Sequence, residues 1–251
     1  MKINVGVDLS DLMAWANKMA SSQVPYATAL ALTKTAQLVR EAEKAEMVKV
    51  FDRPTRWTLN SLYLDPARKD KPWAEVWLKD TGDGAAAQYL EPQIKGGART
   101  VKRFERRLQD AGVMPRGWVA IPGRGAKLDA YGNMSSQQIV TILSVMHAHH
   151  DIYQRETYIS RKRAKRSGKQ RDYFAVLPHQ GGNRAAENGG RLPFGVYQRI
   201  GGRVVTILFF APAARYKPRF DFFGVARQVV NRELASQFKA AMQRAIDTAK
   251  R

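Results

Sequence analysis

Hydrophobic and polar positions along this chain follow two periods, and the switches between them mark the elements. Ile3, Val5 and Val7 alternate near the start, the period-two signature of a strand, or of an ordered arm that joins a neighbour's sheet. Ser10 can cap a short helix carrying Leu12, Met13, Ala16 and Met19, which Ser21-Ser22 breaks. Pro25 then falls in the first turn of a long helix running to about Val50, where its missing N–H costs little. Ala27, Leu30, Ala31, Leu38, Ala42 and Ala45 can share one stripe of that helix, with Lys and Glu covering the remaining surface. Pro54 ends it. Leu59, Leu62 and Leu64, with Trp57 and Tyr63, read as a short helix or turn closing at Asp65-Pro66. Trp73 to Lys79 predicts a strand, terminated by Asp80-Thr81-Gly82-Asp83-Gly84.

The pattern then changes. Ala86, Tyr89 and Leu90 start a short helix that Gly96-Gly97 breaks. Val101, Phe104 and Leu108 form an amphipathic stripe with Lys102, Arg103, Arg106 and Arg107 outside, and Gly112 caps its end. Pro115, Gly117, Pro122, Gly123 and Gly125 predict an irregular loop around Trp118 and Ile121. Ser136 precedes another helix with Ile139, Ile142, Leu143 and Met146 on one face. Strands follow at Tyr173–Leu177, Gly195–Ile200 and Val204–Phe210, the last two joined by Gly201-Gly202 as a hairpin. From about Phe223 to Lys250, Val225, Val229, Leu234, Phe238, Met242, Ala245 and Ile246 follow one face of a long helix. Strands in antiparallel order between helices at both ends predict an α+β fold rather than alternating βαβ units. The expected organisation is a main structural domain from 1–84 and 161–251. Residues 85–160 would form a mostly helical insertion with its own small core of Phe104, Trp118, Ile139 and Leu143.

Length and composition permit such a fold: 251 residues with 44% hydrophobic and 25% charged are enough for a packed core without staples. There are no cysteines, which excludes disulfides, thiolate metal sites and cysteine nucleophiles. No apolar run approaches the ~18 residues of a membrane span, and the first residues lack the apolar stretch of a secretory signal. Charge changes the picture most. The 42 Lys and Arg against 22 Asp and Glu leave +20, a self-repulsion that implies an acidic partner: a protein surface, nucleic acid or an anionic membrane. Seven of the cations, Arg161, Lys162, Arg163, Lys165, Arg166, Lys169 and Arg171, fall within a single eleven-residue stretch. Such a block is expected to be mobile alone and ordered by an anionic surface, with phosphate or a partner's carboxylates as the contact. It carries no interleaved aromatics for base stacking.

Candidate chemistry is otherwise thin. His147, His149, His150 and Asp151 resemble a metal cluster at first, but the spacing is wrong for helical zinc ligands, and a solvated helix end is the better reading. Gly181-Gly182-Asn183 and Gly189-Gly190-Arg191 lack the strand, turn and lysine of a phosphate loop. Asp80 and Asp83 suit turn chemistry. No acid, base and nucleophile converge, so neither catalysis nor a cofactor is expected.

The order of elements carries one resemblance. Val24-Pro25 with Ala27, Ala29, Ala31 and Ala36 leads to Arg53-Pro54-Thr55. The hairpin at 195–210 is followed by Tyr216-Lys217-Pro218-Arg219-Phe220-Asp221-Phe222 and a last amphipathic helix ending in Lys250-Arg251. This layout resembles the lambda-type minor tail protein Z and related tail-completion or neck proteins of tailed bacteriophages. The stretches 89–99 and 128–134 look like a segment of prophage structural proteins. The resemblance covers the two ends, about 150 residues, and its motifs are not catalytic. It implies a virion subunit, made in the bacterial cytoplasm, that repeats in a homo-oligomeric ring at the tail or head–tail junction. Its partners would be other tail or connector proteins, with non-specific DNA contact possible and no membrane. The alternative is a basic DNA-binding accessory protein for packaging or retention.

Overall fold

The computed structural model describes residues 2–5, 23–81, 85–166, 172–177, 192–212 and 215–249. The expected helix after Ser10 and the Gly181 and Gly189 loops lie outside them. The fold is α+β, and its contacts divide it into two units: Met1–Gly96 with Lys217–Arg251, and Gly97–Tyr216. No helix among the described residues is long and apolar enough to cross a membrane.

The first unit joins the two ends of the chain. Helix α1 (Val24–Val50) starts with Pro at its first turn, and helix α7 (Phe222–Ala249) closes the chain. Gly224 N–H donates to Asp221 Oδ1 at 3.0 Å, capping the start of α7. The two helices run antiparallel. Ala27 and Ala31 pack with Ala241 and Ala245 at one end, and Phe51 meets Phe220 edge-on at 5.6 Å at the other. Small side chains at the first contact let backbones approach closely, and the aromatic pair packs just beyond the helices at the other end.

Strands β1 (Lys2–Val5), β2 (Leu62–Asp65) and β3 (Ala74–Leu78) form an antiparallel sheet in the order β1-β3-β2. β1 therefore pairs within its own chain, Lys2 opposite Trp77. The segment expected as a short helix or turn splits into helix α2 (Arg56–Leu59) and strand β2. Thr55 caps α2 by accepting from Thr58 N–H. Leu62 and Leu64 then alternate with Tyr63 because β3 supplies the pairing that a strand this short cannot supply itself. Ala74, Val76 and Leu78 point inward onto Leu32, Ala36, Val39 and Met47 of α1 and Phe222, Ala226 and Val229 of α7. The stripe of α1 thus follows 32, 36, 39, 43 and 47, whereas Leu38 and Ala45 of the expected stripe are exposed. Helix α3 (Ala86–Lys95) adds Leu90 to this core, and Gln93 C=O accepts from the N–H groups of Arg219 and Phe220.

The second unit opens and closes on a short ribbon of β4 (Gly97–Ala98) with β9 (Arg215–Tyr216). Strands β5 (Trp118–Pro122), β6 (Asp172–Val176), β7 (Gly195–Ile200) and β8 (Arg203–Pro212) form an antiparallel sheet in the order β5-β8-β7-β6. Gly201 and Gly202 turn the hairpin with φ of +55° and +82°, values that only Gly adopts freely in succession. Helices α4 (Arg103–Asp110) and α5 (Ser136–Val145) pack Leu108, Ile142 and Leu143 against Val196, Leu208 and Phe210.

This overturns two expectations. The residues about Trp118 are not an irregular loop, because β8 is long enough for Val119 to Ile121 to pair along its edge. Nor does a boundary fall at 160–161. Phe104, Trp118, Ile139 and Leu143 do cluster, but with the hairpin expected in the main domain. The amphipathic faces of α4 and α5 are too small to bury each other and need the sheet. The inserted segment is 97–216, and it is α+β itself.

Candidate functional site

The cationic block begins on helix α6 (Tyr158–Arg166), which has no buried residue. Local chemistry starts it. Ser160 N–H donates to Thr157 Oγ1 at 3.1 Å, and Thr157 N–H donates to Ser160 Oγ at 2.9 Å, a reciprocal cap. Upstream, Ser144 Oγ donates to Gln154 C=O at 2.6 Å and Arg155 Nε donates to His149 C=O at 2.8 Å. These bonds hold the approach to α6 against the end of α5.

Arg161, Lys162, Arg163, Lys165 and Arg166 are all exposed on this helix, and none forms an ion pair among the described residues. Lys169 and Arg171 lie outside the described residues. Arg161 with Lys165, and Lys162 with Arg166, are like charges four apart, which weakens a helix. Nine residues are also too few for a helix that buries nothing to be more than marginal in water. Its cations do favour the last turn, where carbonyls accumulate negative potential. An anion laid along α6 would relieve the repulsion and stabilise the helix together.

Beside these charges stand Ile152, Tyr153, Tyr158 and Ile159, with Tyr153 91% and Tyr158 79% exposed. No aromatic lies between 161 and 171. Tyr153 and Tyr158 precede that stretch in the sequence, and both are exposed. What the segment offers is a cationic helix with an apolar and aromatic start, suited to binding an anionic surface.

The histidines are placed by backbone needs. α5 ends in a Schellman motif, with Ala148 N–H donating to Leu143 C=O at 2.8 Å and His147 N–H to Ser144 C=O at 3.1 Å. His147 takes the left-handed position at φ +54°. His149 is buried, its Nδ1 accepting from Asp151 N–H at 3.3 Å. His150 is exposed, its ring 4.9 Å from that of His149. Among the described residues no three His, Asp or Glu side chains converge as a metal set.

A second polar cluster is centred on Glu105, whose side chain is fully buried. It accepts from Arg99 Nη1 and Nη2 at 2.8 and 2.5 Å, from Lys102 N–H at 2.7 Å and from Ala120 N–H at 2.8 Å. Burial pushes its carboxyl up, but Arg99 and the two backbone donors outweigh that and hold it below the ordinary carboxylate value. Its oxygens are engaged by Arg99, by the start of α4 at Lys102 and by β5 at Ala120, so the cluster is structural.

Comparison of the chain with protein-family models, curated proteins and solved structures found no match.

Proposed function

We propose that this chain is a structural protein of a phage virion, without enzymatic activity, that forms part of an oligomeric ring in the tail or at the head–tail junction. The observation that carries this reading is the unit built from both chain ends. Two of the segments on which the resemblance to minor tail protein Z rests, the α1 region and the stretch from Lys217 into α7, meet through Phe51, Phe220 and Phe222 in one core, while the third, the hairpin at 195–210, belongs to the second unit. Segments from distant parts of the chain that pack in one core support a shared layout better than scattered motifs would. The charge of +20 and the unpaired cations of α6 support an assembly with an acidic neighbour.

In that role α6 docks on a neighbouring subunit. Carboxylates at fixed positions take bidentate bonds from Arg that Lys cannot copy. The alternative, a DNA-packaging or retention accessory, draws on the same helix, because phosphates accept Lys and Arg almost equally. Negative-stain class averages and mass photometry of the purified chain test the reading: rings support it. A monomer that binds plain duplex with steep salt dependence replaces it with the alternative. Changing Arg161, Arg163 and Arg166 to Lys separates the partners. Particle assembly falls if the partner is protein and is unchanged if it is DNA.

A further inference from the structure

The approach to α6 is presented by a fixed backbone. Asp151 Oδ1 accepts from Tyr153 N–H at 2.9 Å and Asp151 Oδ2 from Gln154 Nε2 at 3.2 Å, which starts the single helical turn Ile152–Gln154. The bonds from Ser144 and Arg155 tie that turn to the end of α5. Ile152 and Tyr153 on it, and Tyr158 and Ile159 at the start of α6, are each more than half exposed. Large apolar side chains standing together in water mark an interface. Those held by an ordered turn lose little freedom on binding. Cations follow directly. At helical spacing Tyr158 shares a face with Lys162, and Ile159 with Arg163.

That spacing decides what kind of surface fits. A helix lying in a bilayer interface needs one apolar face along its length, and α6 has none. Duplex nucleic acid takes the cations through its phosphates but has no apolar hollow for Ile152 and Ile159. A protein surface with an apolar hollow inside a polar, acidic rim takes both parts. The chain does not build such a surface from its own described residues. Most of its described carboxylates are already paired with its own cations. Asp129, Asp151, Asp221 and Asp247 accept hydrogen bonds from their own segments, and Glu43 is buried. Asp70, Asp80 and Glu156 are left, each beside a Lys or Arg in the sequence. A second copy thus offers scattered and largely neutralised carboxylates to a helix with five cations between 161 and 166.

We propose that 152–166 docks on a protein of different sequence, whose surface sets an apolar hollow within a rim of carboxylates, and not on a second copy of this chain. Ile152, Tyr153, Tyr158 and Ile159 fill the hollow, and the cations from Arg161 onward meet the rim. This rests on the reading that α6 meets protein. It does not rest on the ring, which other surfaces of the chain would close.

Two measurements on the full chain test this. Mass photometry compares the wild type with the double variants Arg161→Glu, Lys162→Glu and Tyr153→Ser, Tyr158→Ser. The same self-association is expected in all three, and its loss in either variant overturns the proposal in favour of a second copy. A monomeric wild type fails the ring reading alone, since it too shows no contact between copies through α6. Fluorescence anisotropy then reads binding of a labelled amphipathic peptide with Leu on one face and Glu on the other. The wild type is expected to bind it, and both variants to bind about tenfold more weakly. Lys239→Glu, Arg244→Glu makes the same charge change at exposed positions of α7 and should bind as the wild type does. Far-UV circular dichroism confirms that each variant folds. No peptide binding overturns the proposal. So does an equal loss in the α7 variant, which would mean non-specific attraction, or full binding by the Tyr variant, which would mean charge alone. Tighter binding of a DNA duplex or of phosphatidylglycerol vesicles, lost in Arg161→Glu, Lys162→Glu, overturns it in favour of nucleic acid or membrane.

Discussion

Glu43 in the first unit and Glu105 in the second are both wholly shielded from solvent, yet the two units treat them in opposite ways. Glu105 sits three residues into α4, where backbone N–H groups have no partner inside the helix. It accepts two backbone N–H groups, from Lys102 at the helix start and Ala120 on β5, and Arg99 supplies the charge. Glu43 lies in the middle of α1, where every backbone donor is already spent on the helix. Neither of its oxygens has a hydrogen-bond partner among the described residues. Burial first, then the nearby carboxylates of Asp221 and Glu46, push its carboxyl up to about 9. It is neutral at physiological pH. A buried carboxylate keeps its charge only where the local backbone or a cation can solvate it, and position along a helix decides which.

The largest break in this contrast comes from Glu105→Ala. It strands the Arg99 guanidinium and two backbone N–H groups inside the protein, and should cost about 3–5 kcal/mol. Hydrogen exchange followed by mass spectrometry should place the loss in peptides from 97–216, with those from 23–81 little changed.

Glu43→Gln should act in the other direction. The folded-state value lies above the unfolded value of 4.5, so the group's contribution is fully present below the unfolded value and is lost as pH rises toward 9. Removing the titration should therefore stabilise the first unit by about 2–3 kcal/mol at about pH 8. The gain should shrink as pH falls toward 4.5. Urea denaturation of both proteins across that range reads the difference. A gain that does not depend on pH would mean Glu43 is ionised in the folded chain.

Glu105→Gln keeps the shape and removes the charge, and should cost about 1–2 kcal/mol at neutral pH. Here the folded-state value is depressed. The stabilisation is present above the unfolded value and is lost as pH falls through the folded one, so wild type and variant should converge in acid. Opposite pH slopes for the two glutamine variants are the sharpest form of the comparison.

The smallest effect is a backbone one. α4 and α5 end in the same Schellman turn, one with Gly112 at φ +71° and the other with His147 at φ +54°. His147→Gly should relieve left-handed strain and stabilise α5 by about 0.5–1 kcal/mol, measured as a shift in the urea midpoint.

The legible part of the candidate site was its charge. Arg161 to Arg166 stand out in any reading of the chain, but Tyr153 and Tyr158 do not, because an exposed aromatic looks like a core aromatic until its surroundings are known. The outer sheet face was half legible. Alternation in Trp73–Lys79 puts Glu75, Trp77 and Lys79 on one side and Ala74, Val76 and Leu78 on the other. Parity alone marks Trp77 as facing away from the apolar side. That Lys2 and Tyr63 would flank it depended on strand pairings that place them opposite Trp77 from distant positions of the chain.

The sequence by itself determined the long helices, the Gly201-Gly202 hairpin, the Gly112 cap and the surplus of positive charge. Each rests on residues within a few positions of one another, or on a simple sum. Tertiary structure alone decided that 97–216, and not 85–160, is the inserted unit, since β5 is a strand only because β8 offers it an edge. It also decided that Glu43, written among Arg40, Glu41, Lys44 and Glu46 as if on a solvated face, is buried. α7 and the sheet pack on the side of α1 marked by Val39 and Met47, and Glu43 lies four residues from each.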